Sequence, residues 1–241
     1  MTKAVEPLNI LYRDHHYVAI DKPPGMLVHR TRISDGTQFA LQRLRDQIGH
    51  RVYPVHRLDR PTSGVLIFAL HSEAAGALGR QFEARAVEKR YLAVTRGYTE
   101  DAGLVDYALR EDKDSQPQAA LTRYRRLATV ELPIAVGRYA TARYSLVEAQ
   151  PETGRMHQLR KHFAHIFHPL IGDTTHGEGR HNRLFREHFG VHRLLLHATS
   201  LRFRHPYDGS SRRIDAPLSV ELQRLFETLG WRATVAATFC A

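Results

Sequence analysis

Between His56 and Gly64 the chain reads His-Arg-Leu-Asp-Arg-Pro-Thr-Ser-Gly, with a single carboxylate, Asp59, between two guanidiniums, Arg57 and Arg60. Apolar residues lead into this stretch from Val52 to Val55 and continue after it from Val65 to Leu70. A loop held between such runs can present one ionised acid rigidly, which makes Asp59 the candidate reacting group. The same residues also fit ordinary turn chemistry with a solvated ion pair of small net worth. Residue types alone leave both readings open.

Three further stretches carry groups suited to a site. Lys22-Pro23-Pro24-Gly25 is a rigid turn that stops a β-prone run. Lys89-Arg90-Tyr91 sets a ring at the start of another such run, where it reads as a core aromatic or as a stacking surface. Thr153-Gly154-Arg155-Met156-His157-Gln158-Leu159-Arg160 opens a helical pattern in which Met156, Leu159, Phe163 and Ile166 share one face. His157, Arg160, Lys161 and His165 fall opposite, so Arg160 alone reads as a surface phosphate contact. The chain has 16 histidines, but His162, His165 and His168 lack a nearby Cys or an H-E-x-x-H pattern, so no metal site is expected. Neither a phosphate-binding G-x-x-x-x-G-K-[ST] loop nor a dinucleotide fingerprint occurs, and cofactor-free chemistry is the expectation.

Taken together and in order, these segments resemble the motifs of the RluA-type pseudouridine synthases, and the resemblance runs from Leu8 to the His205-Pro206 segment. In that family the acid of the nine-residue stretch is catalytic, which the resemblance carries to Asp59. The Arg at Arg160 pairs with it, and the Tyr at Tyr91 packs against the target base. The Arg at Arg57 fills the gap left by a flipped nucleotide, and Lys22 and Arg60 fall on the RNA-binding side. An Arg close to a carboxylate lowers its pKa by about 1 to 3 units, which keeps it ionised. A ring against a displaced base is worth about 1 to 3 kcal/mol without any sequence code. Asp59-Arg60-Pro61-Thr62, Leu127 to Pro133 and Val136-Gly137-Arg138-Tyr139 resemble the tRNA-modifying branch, whose target is uridine 65 near the junction of the acceptor and T stems. Within the family, elimination through the ribose C2′ is better supported than covalent attack; residue types do not separate them.

The elements that must position these groups follow from periodicity. Leu8 to Tyr12 and Tyr17 to Ile20 suggest a hairpin, and Val65 to Leu70, Leu121 to Val130, Tyr139 to Ala149, Leu194 to His197 and Leu201 to Phe203 suggest strands. Helices are expected from Ser34 or Asp35 to Gly49, from a Ser72 cap with Ala75, Leu78 and Phe82 inward, and from Pro217 to Leu229. The polar stretch from Gly103 to Gln118 reads as a loop. The fold implied by the resemblance is α+β: the pseudouridine synthase catalytic fold, a long mixed, mainly antiparallel sheet flanked by helices, without an S4 domain. A single catalytic domain over 1–241 is expected.

The net charge of +10 and pI of about 10.0 point to an anionic partner. The 30 arginines against 5 lysines favour groups that fork onto phosphate and stack on bases, although biased base composition gives the same ratio. With Cys240 the only cysteine, no intrachain disulfide can form. No membrane span or signal peptide is evident, and a cytoplasmic location is expected; the resemblance implies a tRNA substrate, and with no protein partner implied a monomer is expected. The alternatives are a ribosomal RNA target, a non-catalytic RNA-binding protein on the same fold, and an N-glycosidase.

Overall fold

The computed structural model describes residues 6–29, 39–112 and 114–240. The chain forms two compact units, one of Met1–Glu88 with Ala198–Pro217 and one of Lys89–His197 with Leu218–Ala241. Both combine strands and helices, so the class is α+β as expected.

The first unit carries β1 (Asn9–Arg13), β2 (Tyr17–Lys22), α1 (Ala40–Ile48), β3 (Tyr53–Pro54), β4 (Ser63–Ala69) and α2 (Ser72–Glu83), and later most of β9 (Leu196–Arg204) and all of β10 (Ser211–Asp215). Strands run in the order β1-β2-β4-β9, with β3 on β4 and β10 on β9. The β1–β2 hairpin turns at Asp14, whose carboxylate accepts from the amides of His16 and Tyr17 at 2.7 and 2.6 Å. Tyr17, Ala19, Val65, Ile67 and Ala69 alternate onto one face and pack with Leu201, Phe203 and the α2 residues Ala74 and Leu78. At Gly64, φ is +110° and a Cβ would lie 2.1 Å from the Ala198 carbonyl oxygen, so only glycine lets these backbones meet.

The second unit carries β5 (Glu88–Arg96), β6 (Ala102–Asp106), β7 (Leu121–Leu132), β8 (Ala142–Pro151), α3 (Gln158–His165), α4 (Gly179–Phe189), α5 (Val220–Thr228) and α6 (Arg232–Cys240). Its strands run β5-β8-β7-β6, and the pairs β5–β8, β8–β7 and β7–β6 are antiparallel. Ala93, Val147 and Ala149 pack on one face against Leu159 and Phe163 of α3, with Leu170 and Leu194. Leu92, Val94, Tyr144 and Leu146 point the other way, onto Leu184 and Phe185 of α4 and onto Leu222, Leu225 and Phe226 of α5. Strands β5 and β8 are therefore buried on both faces, while β7 and the edge strand β6 are largely open to solvent.

Several expectations need correction. The polar stretch after Gly103 is not all loop: it overlaps β6, an edge strand paired with β7, and Leu109 bridges to Gln118. The two short runs near Leu194 and Leu201 are one strand, β9. The cap of α2 is His71 rather than Ser72, its Nδ1 accepting from the Ala74 amide at 3.3 Å. The last expected helix starts later, at Val220 behind a Ser219 cap. Helices α4 and α6 and strand β10 were not anticipated. The expected start of a helix at Ser34 or Asp35 lies outside the described residues; α1 begins at Ala40. No helix among the described residues is long and apolar enough to cross a membrane.

Candidate active site

In the first unit the Asp59 loop is built on Lys22. The side chain of Lys22 is fully buried, and its Nζ donates to the carbonyls of Pro23 and Met26, both at 2.9 Å, and of Arg60 at 3.2 Å. One ammonium thus ties the Lys22-Pro23-Pro24-Gly25 turn to the Asp59 loop. The loops are also joined directly. Gly25 donates its amide to the Arg60 carbonyl at 2.8 Å, and Arg60 Nε donates to the Gly25 carbonyl at 3.0 Å. Lys22, expected from the resemblance to contact RNA, is out of reach of a phosphate in solvent; it acts as the keystone of the loop, a role that needs its charge inside.

Within the loop, the Thr62 amide donates to the Asp59 carbonyl at 3.1 Å and closes a turn around Arg60-Pro61. Leu58, Thr62 and Ser63 are buried, whereas Asp59 is half-buried and Arg57 and Arg60 are exposed. His56 is held by accepting the Ile67 amide at 3.1 Å on Nε2 and by stacking on Phe82 with centroids 4.8 Å apart. That fixes the entry to the loop.

In the second unit Tyr91 lies half-buried on β5, opposite Ala149 of β8. It packs on the cluster that contains Leu159 and Phe163 of α3, so Tyr91 and the helix that carries Arg160 share one apolar base. Arg160 is only 3% exposed. It is not on a solvent face: its Nε and a terminal nitrogen donate to the two carboxylate oxygens of Asp173 at 2.7 and 2.8 Å. Planar forks of this kind fix orientation as well as charge. Burial pushes the Asp173 pKa up, but the hydrogen bonds from Arg160 and from the His176 and Thr175 amides outweigh it and hold the carboxyl below its ordinary range.

Asp173 was missed as a site residue because it reads as a turn after Gly172. The turn is nonetheless specific. Gly172 has φ +80° and a Cβ there would lie 1.9 Å from the Arg193 carbonyl oxygen, while buried Asn182 accepts from the Gly172 amide at 2.7 Å and donates to the Asp173 carbonyl at 2.8 Å. The segment before Arg160 is equally fixed: Gln158 accepts from Thr153 Oγ1 at 2.6 Å and from the Arg155 amide at 3.0 Å, and donates to the Leu121 carbonyl at 2.9 Å. His162 is fully buried between Thr122 Oγ1 at 2.9 Å and the Tyr107 carbonyl at 3.0 Å. Burial lowers its pKa. Among the described residues no group of three or more His, Cys, Asp or Glu is arranged to hold a metal ion.

The acid therefore lies on a braced loop of the first unit, while in the second unit the Arg160 guanidinium, expected from the resemblance to pair with Asp59, forks onto Asp173. The RNA pseudouridylate synthase family matches residues 16–165, and the chain belongs to that family. At the level of single relatives, it is 52% identical over 239 residues to tRNA pseudouridine synthase C of Vibrio cholerae, covering 95% of this chain and 98% of that one. It is likewise 52% identical over 237 residues to tRNA pseudouridine synthase C of Haemophilus ducreyi, covering 94% and 98%. Among solved structures, Human RNA Pseudouridylate Synthase Domain Containing 1 matches with a TM-score of 0.69 at 28% identity, covering 95% of this chain and 97% of that one.

Proposed function

We propose that this chain isomerises uridine to pseudouridine in tRNA, at position 65 near the junction of the acceptor and T stems. Supporting this are the family membership, the near-complete alignment with relatives named tRNA pseudouridine synthase C, and the net charge of +10 suited to an RNA partner. The observation that carries the reading is the Asp59 loop itself, braced from below by the buried Lys22. The two units act as one catalytic domain in this reading, in the cytoplasm and as a monomer.

The reaction breaks the N1–C1′ bond, turns the uracil in place and joins C5 to C1′. A proton leaves C5 and one is gained at N1, so product and substrate are isomers, with no net redox change. Asp59 acts at the sugar, either by removing the C2′ proton so that uracil leaves by elimination or by covalent attack. Tyr91 packs against the detached base and keeps it near C1′. Arg160 is held in one orientation by its fork onto Asp173. A paired uridine must first leave the stack, and Arg57 fills the gap it leaves. Binding rests largely on phosphate contacts and weakens steeply with salt. Tritium release from C5-tritiated uridine in an unmodified tRNA transcript, with the modified position mapped, tests the proposal. Release that maps to ribosomal RNA and not to tRNA would keep the chemistry and overturn the substrate.

A further inference from the structure

Helix α3 ends in a geometry that its sequence does not favour. The His168 amide donates to the Phe163 carbonyl at 2.8 Å and the Phe167 amide to the Ala164 carbonyl at 3.1 Å, the double closure that normally places glycine in the left-handed position. Here that position is Phe167, with φ +64°, and its side chain is 80% exposed. Neither burial nor backbone preference accounts for a phenylalanine there, and strain kept at an exposed aromatic points to a contact outside the chain.

Its surroundings indicate what kind. Arg96, at the end of β5, donates to the Phe167 carbonyl at 3.5 Å, and Tyr98 follows two residues on, 39% exposed with the Arg143 guanidinium 5.4 Å from its ring centre. Glu131 joins Tyr98 and Arg143 at 3.5 and 3.3 Å at the base of the β7–β8 connection. That connection is pinned by Ile134 and Val136 against the apolar core. Outward it presents Tyr139, 61% exposed, with the Arg138 guanidinium 5.1 Å from its ring centre. Arg180 of α4 lies against its Gly137, and among the described residues neither Arg138 nor Arg180 pairs with a carboxylate. Exposed rings alternating with guanidiniums form a surface that stacks on bases or riboses and neutralises phosphates. On β8, Arg143 lies six residues from the Ala149 opposite Tyr91, roughly 20 Å at strand spacing.

We propose that this end of the second unit is a second RNA-contacting surface, which grips the substrate RNA away from the uridine that reacts. The proposal rests on the functional reading above and extends it. Phe167→Gly separates the possible roles. Relief of the left-handed strain raises Tm by about 2 to 4 °C, while loss of the ring weakens binding of an unmodified tRNA transcript about tenfold, with turnover at saturating RNA retained. Arg138→Glu with Arg180→Glu flattens the dependence of log affinity on log salt by about 2. Wild-type affinity and salt slope in these variants, with the tritium assay still positive, would overturn this surface and leave the function standing. A silent wild-type assay would instead remove the function. Loss of self-association in Phe167→Gly, with RNA binding unchanged, would assign the surface to a second copy of the chain and overturn the RNA proposal.

Discussion

The Asp59 loop and the Arg160 helix are made rigid in different ways. The loop is fixed through its main chain: carbonyls of Met26 and Arg60 converge on the Lys22 ammonium, Gly25 pairs with Arg60, and Asp59 contributes a carbonyl to its own turn. Arg160 is fixed through its side chain, by a carboxylate that is itself clamped by two amides. The loop's shape is therefore set largely by main-chain bonds, whereas the orientation of residue 160 requires a guanidinium and an acid together. Chemistry can be altered at 59 without unfolding; at 160 and 173 the two effects are coupled.

Four variants or conditions sharpen that contrast. Asp173→Ala removes one partner of a buried pair, and a loss of about 3–5 kcal/mol of stability is expected in denaturant unfolding, with activity lost as well. Lys22→Met removes a donor from three backbone carbonyls, for about 2–3 kcal/mol, since each carbonyl can regain part of its bonding from water. Its signature is a large fall in turnover, because the Asp59 loop loses its brace while the second unit keeps its packing. Gly64→Ala places a methyl 2.1 Å from the Ala198 oxygen at a positive φ and is expected to cost about 2 kcal/mol by forcing the backbones of β4 and β9 apart.

The smallest effect is on pH dependence. His162 is buried neutral, its folded pKa below the ordinary value near 6.5. As pH falls below that value the unfolded chain takes up the proton first, so stability is full above pH 6.5 and declines as pH drops toward the lowered folded value. Replacement by Gln is expected to flatten the dependence of Tm on pH between 7 and 5. An unchanged slope would remove His162 from the account. Asp173 works in the same direction at lower pH: its stabilisation is present above about 3.8 and lost as pH falls through its lowered folded pKa.

The parts of the fold legible in the sequence were those whose apolar residues repeat at a strand or helix period: the first hairpin, β4, α2, β7, β8 and α5. Helix α4 was not, because Gly179 to Phe189 is mostly Arg, His, Asn and Glu and buries only Asn182, Leu184 and Phe185. Strand β6 is an edge strand with a single buried residue, Val105, too little pattern to read. The loop around Asp59 was legible because its residue types mark it. The groups that brace the site were not: hydrophobic periodicity puts Arg160 on the wet face and says nothing of a buried Lys22, since a buried charge is revealed by its partner, and the partners are backbone carbonyls or an acid thirteen residues away.

The most direct test is turnover and binding in Asp59→Asn, on an unmodified tRNA transcript carrying C5-tritiated uridine. Tritium release at position 65 is expected from the wild type and none from the variant, with tRNA affinity within a few-fold of wild type. Release by Asp59→Asn at the wild-type rate would contradict the catalytic role of Asp59.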